Sequence, residues 1–80
     1  MKTSEEIKTW LQARVAKEIK GKPETVSFSA PFASYGLDSI VIVTLVDDLE
    51  EWLGVSLDPT IFWEYPTIEA LTDWLVKEHI

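Results

Sequence analysis

The chain has 80 residues, 46% of them hydrophobic and none of them cysteine, which is enough apolar material for one small domain without disulfides or thiolate metal sites. Its 14 acidic and 7 basic residues give a net charge of −7, and residues 31–80 hold ten acids against one base. This anionic half argues against nucleic acid and membranes as partners and favours a basic protein. No apolar run exceeds four residues, so no membrane span or signal peptide is expected, and a reducing compartment such as the cytoplasm fits.

The first helix is expected to begin near Thr3, which forms a capping box with Glu6. Apolar residues recur every four positions, with Trp10 beside them, as a buried stripe requires. The stripe comprises Ile7, Leu11, Val15 and Ile19. Gly21 is expected to end the helix, with Pro23 just beyond.

Residues 21–37 are rich in glycine, proline and serine, which predicts a long loop. The alternation of Val26, Phe28 and Ala30 is typical of a strand, but the chain offers no partner strand. We therefore expect Phe28 and Phe32 to insert into the core from a loop. A loop of this length in a small domain often carries function.

A second helix is expected from Asp38 or Ser39 to Leu53, and its two sides differ. The core side comprises Ile42, Leu45, Val46, Leu49, Trp52 and Leu53. The opposite side comprises Ile40, Val43, Thr44, Asp47, Glu50 and Glu51. These acids and Asp48 lie toward the negative end of the helix dipole with no lysine or arginine at i±4, which costs a few tenths of a kcal/mol each. The opposite side is therefore either a plain solvated face or a protein-docking face.

Two more helical segments complete the chain. Asp58 and Pro59 predict the start of a short helical turn that includes residues 61–63. Thr67 is expected to cap a last helix that carries apolar residues at helical spacing. The predicted fold is all-α: one domain over residues 1–80, built as a small bundle of three main helices plus one short helix.

Ser39 stands at the junction of the loop and the second helix, next to Asp38 and after a Gly36 that can turn the chain sharply. A serine at this position is commonly an N-cap or an ordinary first-turn residue. The alternative is an exposed hydroxyl that carries a phosphodiester, whose negative charge the helix N-terminus would favour. The residues alone leave both interpretations open.

The stretch Tyr35–Ile40, YGLDSI, resembles acyl carrier protein domains, above all those of polyketide synthases. The resemblance continues at Pro31-Phe32, Leu49-Glu50-Glu51, Gly54-Val55, Tyr65-Pro66-Thr67-Ile68 and Leu71. It implies an acyl-carrier-protein-like fold in which Ser39 carries a 4′-phosphopantetheine arm, with Asp38 completing the motif. A phosphopantetheinyl transferase would install the arm from coenzyme A with magnesium. The carrier would hold acyl or polyketide intermediates as thioesters and catalyse nothing itself.

The resemblance also implies a partner-docking face that coincides with the side of the second helix opposite the core. Its residues are Ile40, Val43, Asp47, Glu50 and Glu51. Trp63, on the short helix near the expected arm, is a further candidate for contact with cargo or a partner. The implied partners are an acyl-loading enzyme (an acyltransferase or an acyl-AMP ligase), a ketosynthase and other synthase domains.

Some positions depart from related carriers. Val41 and Ile42 are apolar and Thr44 is uncharged where fatty-acid-synthase carriers are usually polar or acidic, so a polyketide or hybrid pathway is favoured over a fatty-acid-synthase type. Leu37 replaces the second of two glycines usual in peptidyl carriers, which argues against an amino-acid cargo.

Other functional classes are weaker. An unmodified acidic helical adaptor that docks a basic partner would keep its activity in Ser39→Ala. A hydrolase lacks the glycines of a nucleophile elbow around Ser39, and its only histidine, His79, is expected to be frayed and solvated. No metal site is expected, because the acids of the second helix lack the glycine-bent loop of a calcium site.

Overall fold

The computed structural model describes residues 2–79 and contains four α-helices in that range. They are α1 (Ser4–Glu18), α2 (Ser39–Leu53), α3 (Ile61–Glu64) and α4 (Ile68–His79). Two short 3₁₀ turns, Pro23–Thr25 and Phe32–Tyr35, lie in the loop before α2. The predicted all-α bundle of three long helices and one short helix is confirmed. No helix in residues 2–79 has the length and apolar character needed to cross a membrane.

Helix α1 begins as predicted and ends one residue earlier than predicted. Thr3 Oγ1 accepts a hydrogen bond from the backbone N–H of Glu6 at 3.2 Å, and the Glu6 carboxylate accepts from the Thr3 N–H at 3.0 Å, so the capping box is confirmed. The left-handed residue that ends the helix is Lys20, with φ of 57°, and not Gly21. The Gly21 N–H donates to the Ala16 carbonyl at 2.9 Å, which places Gly21 one position further along a Schellman motif.

The core is built from one side of each long helix together with aromatic residues from the loops. On α2, Ile42, Leu45, Val46 and Leu49 are buried while Trp52 and Leu53 are half-buried, as the helical wheel predicts. Phe32 is buried, and the centroids of the Phe32 and Phe62 rings are 4.7 Å apart. Phe28 is half-buried against the same core. The predicted insertion of Phe32 and Phe28 from a loop is therefore confirmed.

The long loop is fixed to the start of α4 by backbone hydrogen bonds. The Phe32 N–H donates to the Pro66 carbonyl at 2.8 Å, and the Glu69 N–H donates to the Phe28 carbonyl at 3.0 Å. Within residues 2–79 the only β-type pairing is an isolated bridge between Pro31 and Thr67, so the alternating segment forms no strand. These bonds hold the loop against α4 just before it enters α2.

Of the two caps predicted for the shorter helices, the one at Thr67 is confirmed and the one at Asp58 is wrong, because the N-cap of α3 is Thr60, which makes no side-chain capping hydrogen bond. Asp58 Oδ1 accepts from the Thr60 N–H at 2.9 Å, and this backbone hydrogen bond lowers the pKa of Asp58. The α-helix itself begins two residues after Pro59, at Ile61. Thr67 Oγ1 accepts from the Ala70 N–H at 3.0 Å and caps α4 as predicted.

Candidate functional site

Ser39 is the first residue of α2, and the capping function belongs to its neighbour. Asp38 has extended backbone angles (φ −84°, ψ 173°), and its carboxylate accepts the Val41 N–H at 2.9 Å. Gly36, with φ of 67°, provides the left-handed turn that leads into this cap. Ser39 is exposed, and its hydroxyl makes no hydrogen bond to any residue in the described range 2–79. The N-cap of α2 is therefore Asp38, and Ser39 is an exposed residue of the first turn and not the N-cap.

Ser39 lies between two concave apolar surfaces. On one side is a groove of about 160 Å³, which reaches the junction of the loop, α2 and α3. Its lining residues besides Ser39 are Phe32, Ala33, Leu37, Ile42, Phe62, Trp63 and Pro66. On the other side is a shallower surface of about 260 Å³ formed with Ile40, Val43 and Thr44. A flexible group attached to Ser39 would thus have apolar surface on either side.

The residues of α2 predicted to face away from the core are exposed, with the exception of the half-buried Glu50. Ile40 is 76% exposed and Val43 is 43% exposed, and Trp63 on α3 is 60% exposed. Asp47 and Glu51, further along α2, are also exposed. Large apolar side chains exposed together are often interaction surfaces in small proteins.

Two acids of α2 have partners that the sequence pattern did not reveal. Asp48 forms an ion pair with Arg14 of α1. Glu50 is half-buried, and its Oε2 accepts the backbone N–H of Leu57 at 2.7 Å. The expectation that this acidic run lacks compensation is therefore wrong for Asp48 and Glu50. Both partners are more than four residues away in the sequence, so an argument from neighbours on the same helix could not find them.

The chain's only histidine is not frayed, contrary to expectation. His79 lies in the last turn of α4, and its ring packs edge-on against Trp74 with the centroids 4.8 Å apart. It is about 16 Å along α4 from the Pro66 end that borders the groove of Ser39. A general base must lie within hydrogen-bond reach of its proton, so this arrangement gives no support to Ser39 as a hydrolytic nucleophile. Within residues 2–79 there is also no cluster of three or more metal-ligating side chains.

Comparison with known proteins identifies the family. A family model described as a phosphopantetheine attachment site matches residues 9–75. The acyl carrier protein TtuC of Teredinibacter turnerae is 33% identical over 76 residues, covering 95% of this chain and 87% of TtuC. The polyketide synthase PksL of Bacillus subtilis is 37% identical over 70 residues, and the match spans only 2% of that synthase.

Solved structures agree in fold. A free-standing peptidyl carrier protein from Acinetobacter baumannii has a TM-score of 0.88 and 43% identity, with 94% of each chain covered. The acyl carrier protein Asl1650 from Anabaena has a TM-score of 0.89 and 31% identity, covering 98% of this chain and 89% of that one.

The chain belongs to the phosphopantetheine attachment family. It is a carrier domain, of a kind that is generally non-catalytic and whose family carries a covalently attached 4′-phosphopantetheine. Carrier domains of this kind work in polyketide synthases together with the other synthase domains. The exposed hydroxyl of Ser39, at a helix N-terminus and between two apolar surfaces, fits such a group. An unmodified adaptor is not favoured.

Proposed function

We propose that Ser39 is the residue that carries the 4′-phosphopantetheine arm and that a phosphopantetheinyl transferase attaches it, using coenzyme A and magnesium. In that reaction Ser39 Oγ loses its proton and bonds to the phosphorus that bears the pantetheine. The pyrophosphate bond of coenzyme A breaks, and adenosine 3′,5′-bisphosphate leaves. The observation that carries the proposal is the position of Ser39. Its side chain is exposed in the first turn of α2, and the N-cap of this helix is Asp38.

Electrostatics at the start of α2 supports a phosphodiester on Ser39. The first turn of a helix has unpaired backbone N–H groups and the positive end of the helix dipole, both of which stabilise a nearby anion. The Asp38 carboxylate already accepts one of these groups, the Val41 N–H. A phosphodiester on the Ser39 oxygen would lie just outside this turn, at the positive end of α2.

The docking face proposed for partner enzymes extends from Ser39 along the exposed side of α2 and includes one residue of α3. It consists of Ile40, Val43, Asp47, Glu50 and Glu51 on α2 together with Trp63 on α3. Exposure of all but Glu50 supports the assignment. Glu50 has one oxygen engaged with the Leu57 N–H, so its contribution to docking would come from its charge and its remaining oxygen. The partners proposed are the phosphopantetheinyl transferase, an acyltransferase or acyl-AMP ligase, and a ketosynthase.

The cargo proposed is an acyl or polyketide intermediate, and the place of work is the cytoplasm. Several relatives are named as polyketide synthases and one as an acyl carrier protein, which supports this cargo. A second candidate is an aminoacyl cargo, because a structure described as a peptidyl carrier protein is 43% identical. Leu37, which lines the groove beside Ser39, is the residue on which the sequence argument against that cargo rests.

The attachment site is tested by intact mass spectrometry of the apo protein after incubation with coenzyme A, magnesium and a broad-specificity phosphopantetheinyl transferase. We expect a gain of one phosphopantetheine in the parent protein and none in Ser39→Ala. Ser56→Ala, another exposed serine, is the matched control and should be modified like the parent. Modification of Ser39→Ala, or no modification of a folded parent, would overturn the assignment.

The role of Trp63 is tested by comparing indole N–H chemical shifts in the apo, phosphopantetheinylated and acylated forms. Trp63 lines the groove beside Ser39, whereas Trp74 packs against Tyr65 with ring centroids 5.0 Å apart. We expect the Trp63 signal to move on acylation and the Trp74 signal to stay in place. An unmoved Trp63 signal would leave the indole without a role in cargo binding.

A further inference from the structure

The groove that Ser39 shares with the loop and α3 has an apolar floor. Its most buried lining residues are Phe32, Ile42 and Phe62, none of which is more than 7% exposed. The rings of Phe32 and Phe62 pack against each other, with centroids 4.7 Å apart. The other lining residues are more exposed and form the walls: Ala33, Leu37, Trp63 and Pro66. A group that enters this groove from Ser39 therefore meets hydrocarbon and aromatic surface on its floor and walls.

The size of the groove limits what it can hold. Its volume is about 160 Å³. At on the order of 30 Å³ for a group the size of a water molecule or a methylene, it has room for roughly five such groups. Leu45 and Leu49, on the core side of α2, are fully buried and do not line the groove, so close packing leaves a longer chain no path inward. The groove is therefore matched to a short acyl group such as butyryl.

The lining side chains offer no partner to a positive charge. Apart from the hydroxyl of Ser39 and the indole N–H of Trp63, every lining side chain is hydrocarbon, and none is ionisable. Asp38 and Glu64 precede Ser39 and follow Trp63 in the chain, but neither lines the groove, and the hydrogen bonds of both carboxylates are made elsewhere. An ammonium group in the groove would lose its water without gaining a partner, which is costly.

We propose that this groove discriminates between cargoes: it binds the end of the arm when that end is a short uncharged acyl group, and it leaves an aminoacyl group in water. The inference rests on the proposed attachment of the arm to Ser39, which itself lines the groove. Burial of hydrocarbon stabilises the bound acyl group, and each added methylene contributes until the groove is full. Between an acyl and an aminoacyl cargo, the groove favours the acyl one.

The test compares forms of the protein that carry the same arm and differ only in the group on its thiol. A broad-specificity phosphopantetheinyl transferase transfers the arm from acetyl-, butyryl-, octanoyl- or β-alanyl-coenzyme A, and intact mass confirms each product. Butyryl and β-alanyl groups are nearly isosteric, since one ends in a methyl group where the other has an ammonium. The readout is the indole N–H chemical shift of Trp63 relative to the free-thiol form. Trp74, outside the groove, is the internal control.

The expected shifts follow from the size and the charge of each group. The Trp63 signal should move with butyryl and stay close to its free-thiol position with β-alanyl. Acetyl should move it less than butyryl does. Octanoyl should move it about as far as butyryl, because the extra carbons lie outside a full groove. The methyl signals of Leu49, which is buried in the core and does not line the groove, should stay in place in every form.

A carboxylate placed on the wall should reverse the preference. Ala33 is exposed where it lines the groove, so Ala33→Asp adds the charge there without disturbing the core. In this variant β-alanyl should move the Trp63 signal, and butyryl should move it less than in the parent. Ser56→Asp adds the same charge at an exposed residue outside the groove and should behave like the parent.

Four results, each obtained on protein whose mass shows the arm, would overturn the inference. They are no Trp63 shift with butyryl, equal shifts with butyryl and β-alanyl, movement of the Leu49 methyl signals with octanoyl, and the same behaviour of Ala33→Asp and Ser56→Asp. The third would mean that the chain enters the core instead of the groove. Absence of the arm from the folded parent would overturn the proposed function itself and this inference with it, so the two failures are distinguishable.

Discussion

Glu50 was predicted as a docking residue, but it also makes a hydrogen bond within the fold. Its replacement should therefore lower the free energy of unfolding. Its Oε2 accepts the Leu57 N–H at 2.7 Å, which ties the last turns of α2 to the segment that leads into α3. Leu57 is itself buried in the core. Glu51, the next residue, is exposed and is part of the same proposed docking face. The pair Glu50→Ala and Glu51→Ala therefore removes the same charge with different structural consequences.

The expected magnitude follows from the hydrogen bond. A hydrogen bond to a charged partner contributes about 1.5–3 kcal/mol, and the partial exposure of Glu50 reduces this contribution to about 1–2 kcal/mol. In a domain of this size, 1 kcal/mol corresponds to about 4–8 °C in Tm, so Glu50→Ala should lower Tm by about 5–15 °C. Glu50→Gln keeps an acceptor oxygen and should lose about half as much. Glu51→Ala should stay within about 0.5 kcal/mol of the parent.

The assay is thermal and urea unfolding of the apo proteins followed by circular dichroism at 222 nm. The expected order of stability is parent and Glu51→Ala, then Glu50→Gln, then Glu50→Ala. If Glu50→Ala and Glu51→Ala have the same unfolding midpoints, the hydrogen bond to Leu57 contributes nothing to stability. Glu50 would then be a candidate docking residue like Glu51, with no structural role.

Three further changes probe the ends and the core of the bundle. Lys20→Gly removes a side chain from left-handed backbone (φ 57°) and should raise the free energy of unfolding by up to about 1 kcal/mol in urea titrations; a less stable variant would contradict this. Leu45→Ala truncates a fully buried side chain and should lower that free energy by about 2–5 kcal/mol, whereas a loss below about 1 kcal/mol would mean that the core closes around the gap. The Thr3 N–H lowers the pKa of Glu6 below its ordinary 4.5, so the stability it provides is present above pH 4.5 and is lost as the pH falls through the folded-state value. Glu6→Gln should therefore lose less stability than the parent on acidification in this range, and parallel pH profiles would contradict the argument.

Features that depend on near neighbours in the chain could be predicted from the sequence. The capping box of Thr3 and Glu6 was among them, as were the buried stripe of α2 and the exposure of Ile40 and Val43. Each follows from spacings of three or four residues, which helical geometry turns directly into contacts. The start of α2 beside Ser39 was predicted for the same reason.

Features that depend on contacts between helices or loops could not be predicted from the sequence. Arg14 and Asp48 are 34 residues apart, and only the packing of α1 against α2 brings them together. The end of α1 shows a related limit, because glycine is the usual left-handed residue at a helix end while here Lys20 takes that conformation. The preference for glycine therefore predicted the end of α1 to within one residue but assigned the left-handed conformation to the wrong residue.

The internal partners of Asp48 and Glu50 change the meaning of the acidic run on α2. Uncompensated charge was the reason to suspect function there, yet two of its acids are engaged within the fold, which leaves Asp47 and Glu51 as the exposed pair. These two lie further along α2 than the exposed apolar residues beside Ser39. Charges act over several ångströms and govern the rate of encounter, whereas apolar contact acts only once surfaces meet. We therefore expect salt to slow association of partner enzymes through Asp47 and Glu51, and truncation of Ile40 to speed their dissociation.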